Sequence, residues 1–143
     1  MRSLEGCYRI AEKENITVDR FPLSARQALS FMDSDGACYI ALDPAQLTGE
    51  TDERTKLCHE LGHCITGSFY NPYTGFDCRN RHENRADKWA IRKLIPVSEL
   101  DSAVAGGCSQ LWELAEHFGV TEDFMRKAIC FYVHGNLATE LYF

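Results

Sequence analysis

One short segment, His59-Glu60-Leu61-Gly62-His63, constrains the fold and the chemistry of this chain more than any other. In an α-helix, residues four positions apart lie on one face, one turn above each other. His59 and His63 can therefore direct two imidazole nitrogens at one metal ion. Glu60 is rotated by about 100° around the helix axis, so it cannot be an equal ligand, but it can reach a water molecule beside the ion. The pattern His-Glu-x-x-His is typical of a zinc-binding helix that carries its own general base.

The residues around this segment follow the pattern of an amphipathic helix. Its apolar stripe consists of Leu57, Leu61, Cys64 and Ile65. This spacing is that of a helix face packed on a core, with the two histidines on the opposite side. Thr51 or Asp52 is the predicted N-cap. Gly62 costs about 1 kcal/mol relative to Ala in a helix interior, which indicates that a strand or a substrate backbone needs the space.

A second segment, residues 81–94, is predicted to supply the third ligand. Its pattern indicates a helix that ends at Ile95-Pro96, because proline cannot continue it. Glu83 and Asp87 lie four positions apart on one face of this helix. A catalytic zinc ion typically has three protein ligands and one open position, so we expect Glu83 to complete a site for one zinc ion per chain. Asp87 would accept the other ring N–H of a ligand histidine and fix its orientation.

Three further residues are alternative metal ligands. The predicted helix turns His82 away from the face of Asp87. Cys64 lies on the apolar stripe, and Cys58 is rotated by about 100° from His59. We therefore expect both thiols to fill the core, as small apolar groups do, and we rank all three residues below Glu83.

The two segments together resemble the ImmA/IrrE family of metallopeptidases. The similarity is most specific in residues 55–63 and 83–96, continues through residues 111–120, and extends from about residue 5 to about residue 135. The resemblance implies a zinc peptidase with a zincin-like fold. Its ligand set would be gluzincin-like, with the two histidines of His-Glu-x-x-His and a glutamate. By this resemblance, Glu60 is the catalytic base and the metal ligands are His59, His63 and Glu83.

The family also implies a class of substrate. Its members occur in bacteria, phages and mobile elements, and they typically cleave a helix-turn-helix repressor to release phage, mobile-element or stress genes. A protein substrate of this kind is the expected partner here. Longer members carry a sensory domain after this region, which we do not expect in this chain.

The rest of the sequence predicts an α+β fold, in which a small β-sheet lies beside the metal helix and a helical C-terminal region follows. Two apolar runs at residues 28–32 and 37–42 flank Asp33-Ser34-Asp35-Gly36, a strong turn signal, and predict a hairpin. Helices are predicted at residues 4–13, 97–105, 109–118 and 121–133. We interpret residues 1–96 as the metallopeptidase core and 97–143 as helices packed on it, in one compact unit.

Several surface features leave two interpretations open. Residues 68–77 carry four aromatic side chains, which either form a rim that grips substrate or attach the loop to the body. Basic side chains at 79–93 form a solvated face or attract an acidic substrate segment. The helices around residues 111–129 resemble a helix-turn-helix pair, for which we favour packing or repressor docking over DNA contact, since only Arg126 and Lys127 are basic there.

Composition limits the remaining classes of function. A net charge of −6 argues against a general nucleic-acid binder. Seven cysteines without a Cys-x-x-Cys pair indicate reduced thiols. No signal peptide or membrane span is evident, so we expect a cytoplasmic protein without a membrane partner.

Two other functions and one mechanistic detail are also compatible with the sequence. The chain could be a metal-bearing anti-repressor that displaces a repressor without cutting it, or a transcription factor with structural zinc, although no fourth ligand is evident. An oxyanion donor is not identified. Tyr132 and His134 are candidates by residue type alone.

Overall fold

A computed structural model of the protein describes residues 3–69, 75–135 and 137. The prediction for the aromatic loop falls partly outside these residues, at positions 70–74. Within the described chain the fold is α+β, as predicted. Its elements are α1 (Leu4–Lys13), β1 (Thr17–Arg20), β2 (Ala28–Met32), β3 (Cys38–Leu42), α2 (Glu50–Thr66), α3 (Phe76–Leu94), α4 (Val97–Ala105), α5 (Leu111–Phe118) and α6 (Glu122–His134).

The three strands form one small sheet in the order β1-β3-β2. The predicted hairpin is confirmed: β2 and β3 pair antiparallel, with Ser30 opposite Ile40. Asp33 stabilises the turn, because its side chain accepts the N–H groups of Asp35 and Ala37. Strand β3 is central and alternates buried with half-buried residues. Strand β2 therefore lies at one edge of the described sheet.

Helix α2 carries the metal motif and packs against both the sheet and α3. Leu57, Leu61 and Cys64 are buried, as the apolar stripe predicts, whereas Ile65 at the end of the stripe is 37% exposed. The predicted N-cap is wrong: Gly49 occupies that position, and the helix begins at Glu50. Asp52 lies in the first turn instead, where its side chain accepts the N–H of Thr48, one position before the N-cap.

Helices α2 and α3 approach each other very closely at Gly62. A Cβ atom at this position would lie 2.5 Å from the carbonyl oxygen of Ala86. The space that Gly62 provides is therefore occupied by the backbone of α3, and not by a strand or a substrate. Helix α3 also begins earlier than predicted, at Phe76, because its N-cap Gly75 offers no side-chain cap that would mark the start.

The C-terminal helices share the core of the preceding region. Thr121, the first residue of the helix predicted at 121–133, is the N-cap of α6, and its side chain accepts the N–H of Phe124. Phe118 and Met125 are fully buried in the cluster of apolar residues that also contains Cys7 of α1 and Leu57 of α2. In the described part of the chain, no helix is both long and apolar enough to cross a membrane.

Candidate metal centre

Three side chains from α2 and α3 converge at one point. His59, His63 and Glu83 each offer one ligand atom, and these atoms all lie within 4.8 Å of one another. Glu83 Oε2 is 2.7 Å from His59 Nε2 and 3.2 Å from His63 Nε2. The two Nε2 atoms are 3.2 Å apart. The predicted ligand set is thus assembled around a common centre, and the group could hold a metal ion.

The Nδ1 atom of each imidazole ring, which does not face the centre of the cluster, lies within hydrogen-bonding distance of an oxygen atom. His59 Nδ1 lies 2.7 Å from Asp87 Oδ1, so the structure places Asp87 where the sequence predicted it. His63 Nδ1 lies 2.6 Å from the carbonyl oxygen of Ser68. Because both acceptors favour a proton on Nδ1, the two Nε2 atoms can offer lone pairs to a metal ion. The contribution of Ser68 was missed, since a backbone carbonyl leaves no signal in the sequence.

The carboxylate of Asp87, which contacts His59, also contacts a basic side chain of the C-terminal region. Lys127 of α6 donates to Asp87 Oδ2 at 3.2 Å. Burial raises the pKa of Asp87, but its contacts with His59 and Lys127 outweigh burial and lower the pKa below its ordinary value. Burial lowers the pKa of His59, but its hydrogen bonds with Asp87 and Glu83 outweigh burial and raise the pKa to about 10. Without a metal ion, His59 is therefore protonated at neutral pH.

Glu60 lies beside the ligand cluster and outside it. The Ser30 hydroxyl, on strand β2, donates to Glu60 Oε1 at 2.6 Å. This short distance is typical of a hydrogen bond to an ionised carboxylate. The sequence places Glu60 one position after a ligand, but it gives no indication that a serine thirty positions earlier would contact it.

A cleft of about 410 Å³ opens next to the cluster. His59, Glu83 and Asp87 line this cleft together with Phe124 and Lys127 of α6. A ligand in this cleft would contact His59 and Glu83, two of the three residues that could hold a metal ion.

The alternative ligands do not join the cluster. Among the described residues, the metal-competent group does not include His82, Cys58 or Cys64. A hydrogen bond shared with Cys7, together with burial, raises the pKa of the Cys58 thiol well above its usual value. Burial likewise raises the pKa of Cys64. Both thiols are buried and protonated, whereas a metal ligand must be a thiolate.

The two candidate oxyanion donors lie in other environments. The Tyr132 hydroxyl donates to the carbonyl oxygen of Ile95 at 2.6 Å and so connects α6 to the end of α3. His134 is exposed at the end of α6. Neither residue lines the cleft beside the cluster.

The basic face of α3 is largely solvated. Arg79, Arg81 and Arg85 are exposed. The guanidinium carbon of Arg92 lies 5.1 Å from the centre of the Phe131 ring of α6. Part of this basic face therefore contributes to packing between α3 and α6.

Comparison with known proteins agrees with this geometry. No curated protein matches the chain. The profile of one protein family, the IrrE N-terminal-like domain (Peptidase_M78), matches residues 11–129. This span includes the sheet, both helices of the cluster and most of α6, and confirms the resemblance to the ImmA/IrrE metallopeptidases. The chain therefore belongs to the Peptidase_M78 family of IrrE N-terminal-like domains.

Proposed function

We propose that this protein is a zinc-dependent endopeptidase that cleaves a helix-turn-helix transcriptional repressor. Membership of the Peptidase_M78 family supports a metal-dependent peptidase. The proposal of a zinc-dependent endopeptidase rests mainly on one observation. The ligand atoms of His59, His63 and Glu83 lie within 4.8 Å of one another, with Glu60 beside them. A purely structural zinc site is closed by four protein ligands, and this group offers three.

The donor set suits zinc. Two imidazole nitrogens and one carboxylate oxygen are the protein ligands of several catalytic zinc sites, in which the fourth position stays open. The contacts of both Nδ1 atoms, with Asp87 and with the carbonyl of Ser68, leave the two Nε2 atoms to bind the ion. His59, His63 and Glu83 would hold one zinc ion per chain.

The chemistry follows from the placement of these residues. A bound zinc ion would supply a Lewis acid that polarises the scissile carbonyl and lowers the pKa of a water molecule. Glu60 would take the proton from the attacking water on its carboxylate and deliver it to the leaving amine. Asp87 would keep His59 in one tautomer throughout, by holding the proton on Nδ1.

The edge strand β2 offers a path for the substrate backbone. It pairs with β3 on one side, and Ser30 in its middle contacts Glu60. An extended peptide can add to such an edge through main-chain hydrogen bonds. We propose that the substrate binds along β2, which would bring the scissile bond next to Glu60.

The choice of a repressor as substrate rests on the family resemblance. Derepression of phage, mobile-element or stress genes would follow from its cleavage. We propose the cytoplasm as the site of action, where such a repressor would be encountered.

The first test is the zinc content of the purified protein, measured by elemental analysis beside the Glu83→Ala variant. We expect about one zinc per chain in the wild type and much less in the variant, because two histidines alone make a weak site. The zinc-loaded protein is then incubated with repressors encoded near its gene, and cleavage is followed by mass spectrometry.

The Glu60→Gln variant separates cleavage from displacement. It should retain zinc and lose cleavage, because the amide cannot accept the proton of the water. If repressor–DNA complexes dissociate equally with wild type and Glu60→Gln and no fragment appears, the protein is a non-proteolytic anti-repressor. Absence of zinc after reconstitution would contradict the peptidase proposal altogether.

A further inference from the structure

Ser30 occupies an unusual position for a hydroxyl group. In β2 it alternates with Leu29 and Phe31, so its side chain points to the opposite face of the sheet from theirs. That face is the one packed on α2, where the paired residue Ile40 is 1% exposed. A polar group next to a core lowers stability unless it forms a hydrogen bond. Ser30 has such a partner in Glu60, at 2.6 Å.

The hydrogen bond engages one specific oxygen of the carboxylate. Ser30 donates to Oε1, and no other hydrogen bond to Glu60 is found among the described residues. A long side chain such as glutamate has several rotamers of similar energy. A hydrogen bond from Ser30, whose backbone is paired with β3, restricts this choice and engages Oε1.

From this contact we infer that Ser30 is a positioning residue for the catalytic base. Its hydroxyl holds Glu60 Oε1, so that Oε2 is presented to the water that attacks the peptide bond. The inference rests on the proposed function, in which Glu60 is the base. Because Ser30 belongs to the strand along which we propose the substrate to bind, the same strand would orient both the substrate and the base.

The activity test compares three variants with the wild type on a peptide or repressor that the wild type cleaves. Ser30→Ala should lower kcat about tenfold and leave KM nearly unchanged, because a misplaced base slows the chemical step. Ser30→Thr should recover most of the rate, since it keeps the hydroxyl and suits a strand. Ser102→Ala is the matched control. It removes a hydroxyl that bonds to the Ser98 carbonyl in α4, away from the cluster.

A second test needs no substrate. Acetohydroxamic acid binds zinc in peptidases and offers its hydroxyl to the base, so its affinity for the zinc-loaded protein reports on the position of Glu60. We expect Ser30→Ala to weaken this affinity about fivefold in the wild-type background. In a Glu60→Ala background the same change should have no effect, because the interaction passes through Glu60.

The outcomes separate this inference from the proposed function. Equal losses in both backgrounds, or unchanged kcat in Ser30→Ala with intact zinc content, would overturn the role of Ser30 and leave the peptidase proposal standing. The protein could show coupling between Ser30 and Glu60 in hydroxamate binding and yet cleave no repressor. That result would support the role of Ser30 and contradict the proposed substrate. A chain that takes up no zinc would overturn both.

Discussion

His59 contacts two carboxylates, Asp87 through Nδ1 and Glu83 through Nε2. Asp87 Oδ1 lies next to His59 Nδ1, and Glu83 Oε2 lies next to His59 Nε2, the nitrogen that would bind a metal ion. In the metal-free protein these carboxylates outweigh burial, which by itself lowers the pKa of His59, and raise that pKa to about 10. At neutral pH a proton therefore occupies His59 Nε2, and a metal ion that binds this atom would displace it.

This competition predicts that zinc binding depends on pH. The raised pKa stabilises the protonated, metal-free form, so zinc affinity should fall as the pH is lowered and rise as the pH approaches 10. At neutral pH we expect about one proton to be released from His59 for each zinc bound. Calorimetric titration with zinc in buffers of different ionisation enthalpy measures this number directly.

Asp87→Asn provides the control for this prediction. The amide carries no charge, so the pKa of His59 should decrease and fewer protons should be released at mildly alkaline pH. Equal proton release in the wild type and in Asp87→Asn would contradict the assignment of the proton to His59.

The close contact between α2 and α3 determines how the proposed metal ligands meet, because His59 and His63 lie on α2 and Glu83 lies on α3. Gly62→Ala would place a Cβ atom 2.5 Å from the Ala86 carbonyl oxygen. The neighbour is backbone, so α3 must shift as a whole. We expect a loss of about 1–3 kcal/mol in the free energy of unfolding from this overpacking, partly offset by the higher helix propensity of alanine.

The same shift should weaken zinc binding, because Ala86 lies between Glu83 and Asp87 on α3. Urea unfolding and zinc competition titrations measure the two effects. Gly75→Ala is the matched control, since no atom of the described residues lies within 4 Å of its added Cβ and its backbone φ is −61°. Wild-type stability and zinc affinity in Gly62→Ala would show that the helices can separate without consequence.

The elements differ in how well the sequence predicts them. The side chains of Ser3 and Thr121 cap α1 and α6, which is a local interaction. The bounds of α1 and α4 agree with the predictions. Periodicity likewise brings Glu83 and Asp87 to one face. The contacts of Ser30 with Glu60 and of Lys127 with Asp87 join elements distant in the sequence, and depend on packing that no local pattern encodes.

At the scale of the whole molecule, one buried side chain connects the metal helix with the C-terminal helices. Arg54 of α2 is 2% exposed. It donates to the carbonyl oxygens of Phe118 and Gly119 at 2.6 and 2.8 Å. These are carbonyls at the end of α5, where helix geometry leaves acceptors without partners. Arg54 therefore joins the two regions that the sequence suggested, residues 1–96 and 97–143.

Arg54→Met should destabilise the protein by about 3 kcal/mol, because it leaves two carbonyls without their charged donor. Arg9→Ala is the control. Arg9 forms an ion pair with Glu5 in which both side chains are more than 70% exposed, and such pairs contribute little to stability. Urea unfolding followed by circular dichroism compares the two variants, and similar small losses in both would contradict the role of Arg54.

The two tryptophans allow each region to be followed separately in the same experiment. Trp89 lies in α3 and Trp112 in α5. The Trp112→Phe variant keeps only Trp89, whose fluorescence reports on residues 1–96. The Trp89→Phe variant keeps only Trp112, whose fluorescence reports on residues 97–143. Because both regions contribute to one cluster of buried side chains, we expect the two fluorescence transitions to coincide, as they do in a single cooperative unit. In Arg54→Met both should move together to lower urea concentration. If only the Trp112 signal moved, the C-terminal helices would be a separate unit, and the contact of Lys127 with Asp87 could be lost while the metal site remained folded.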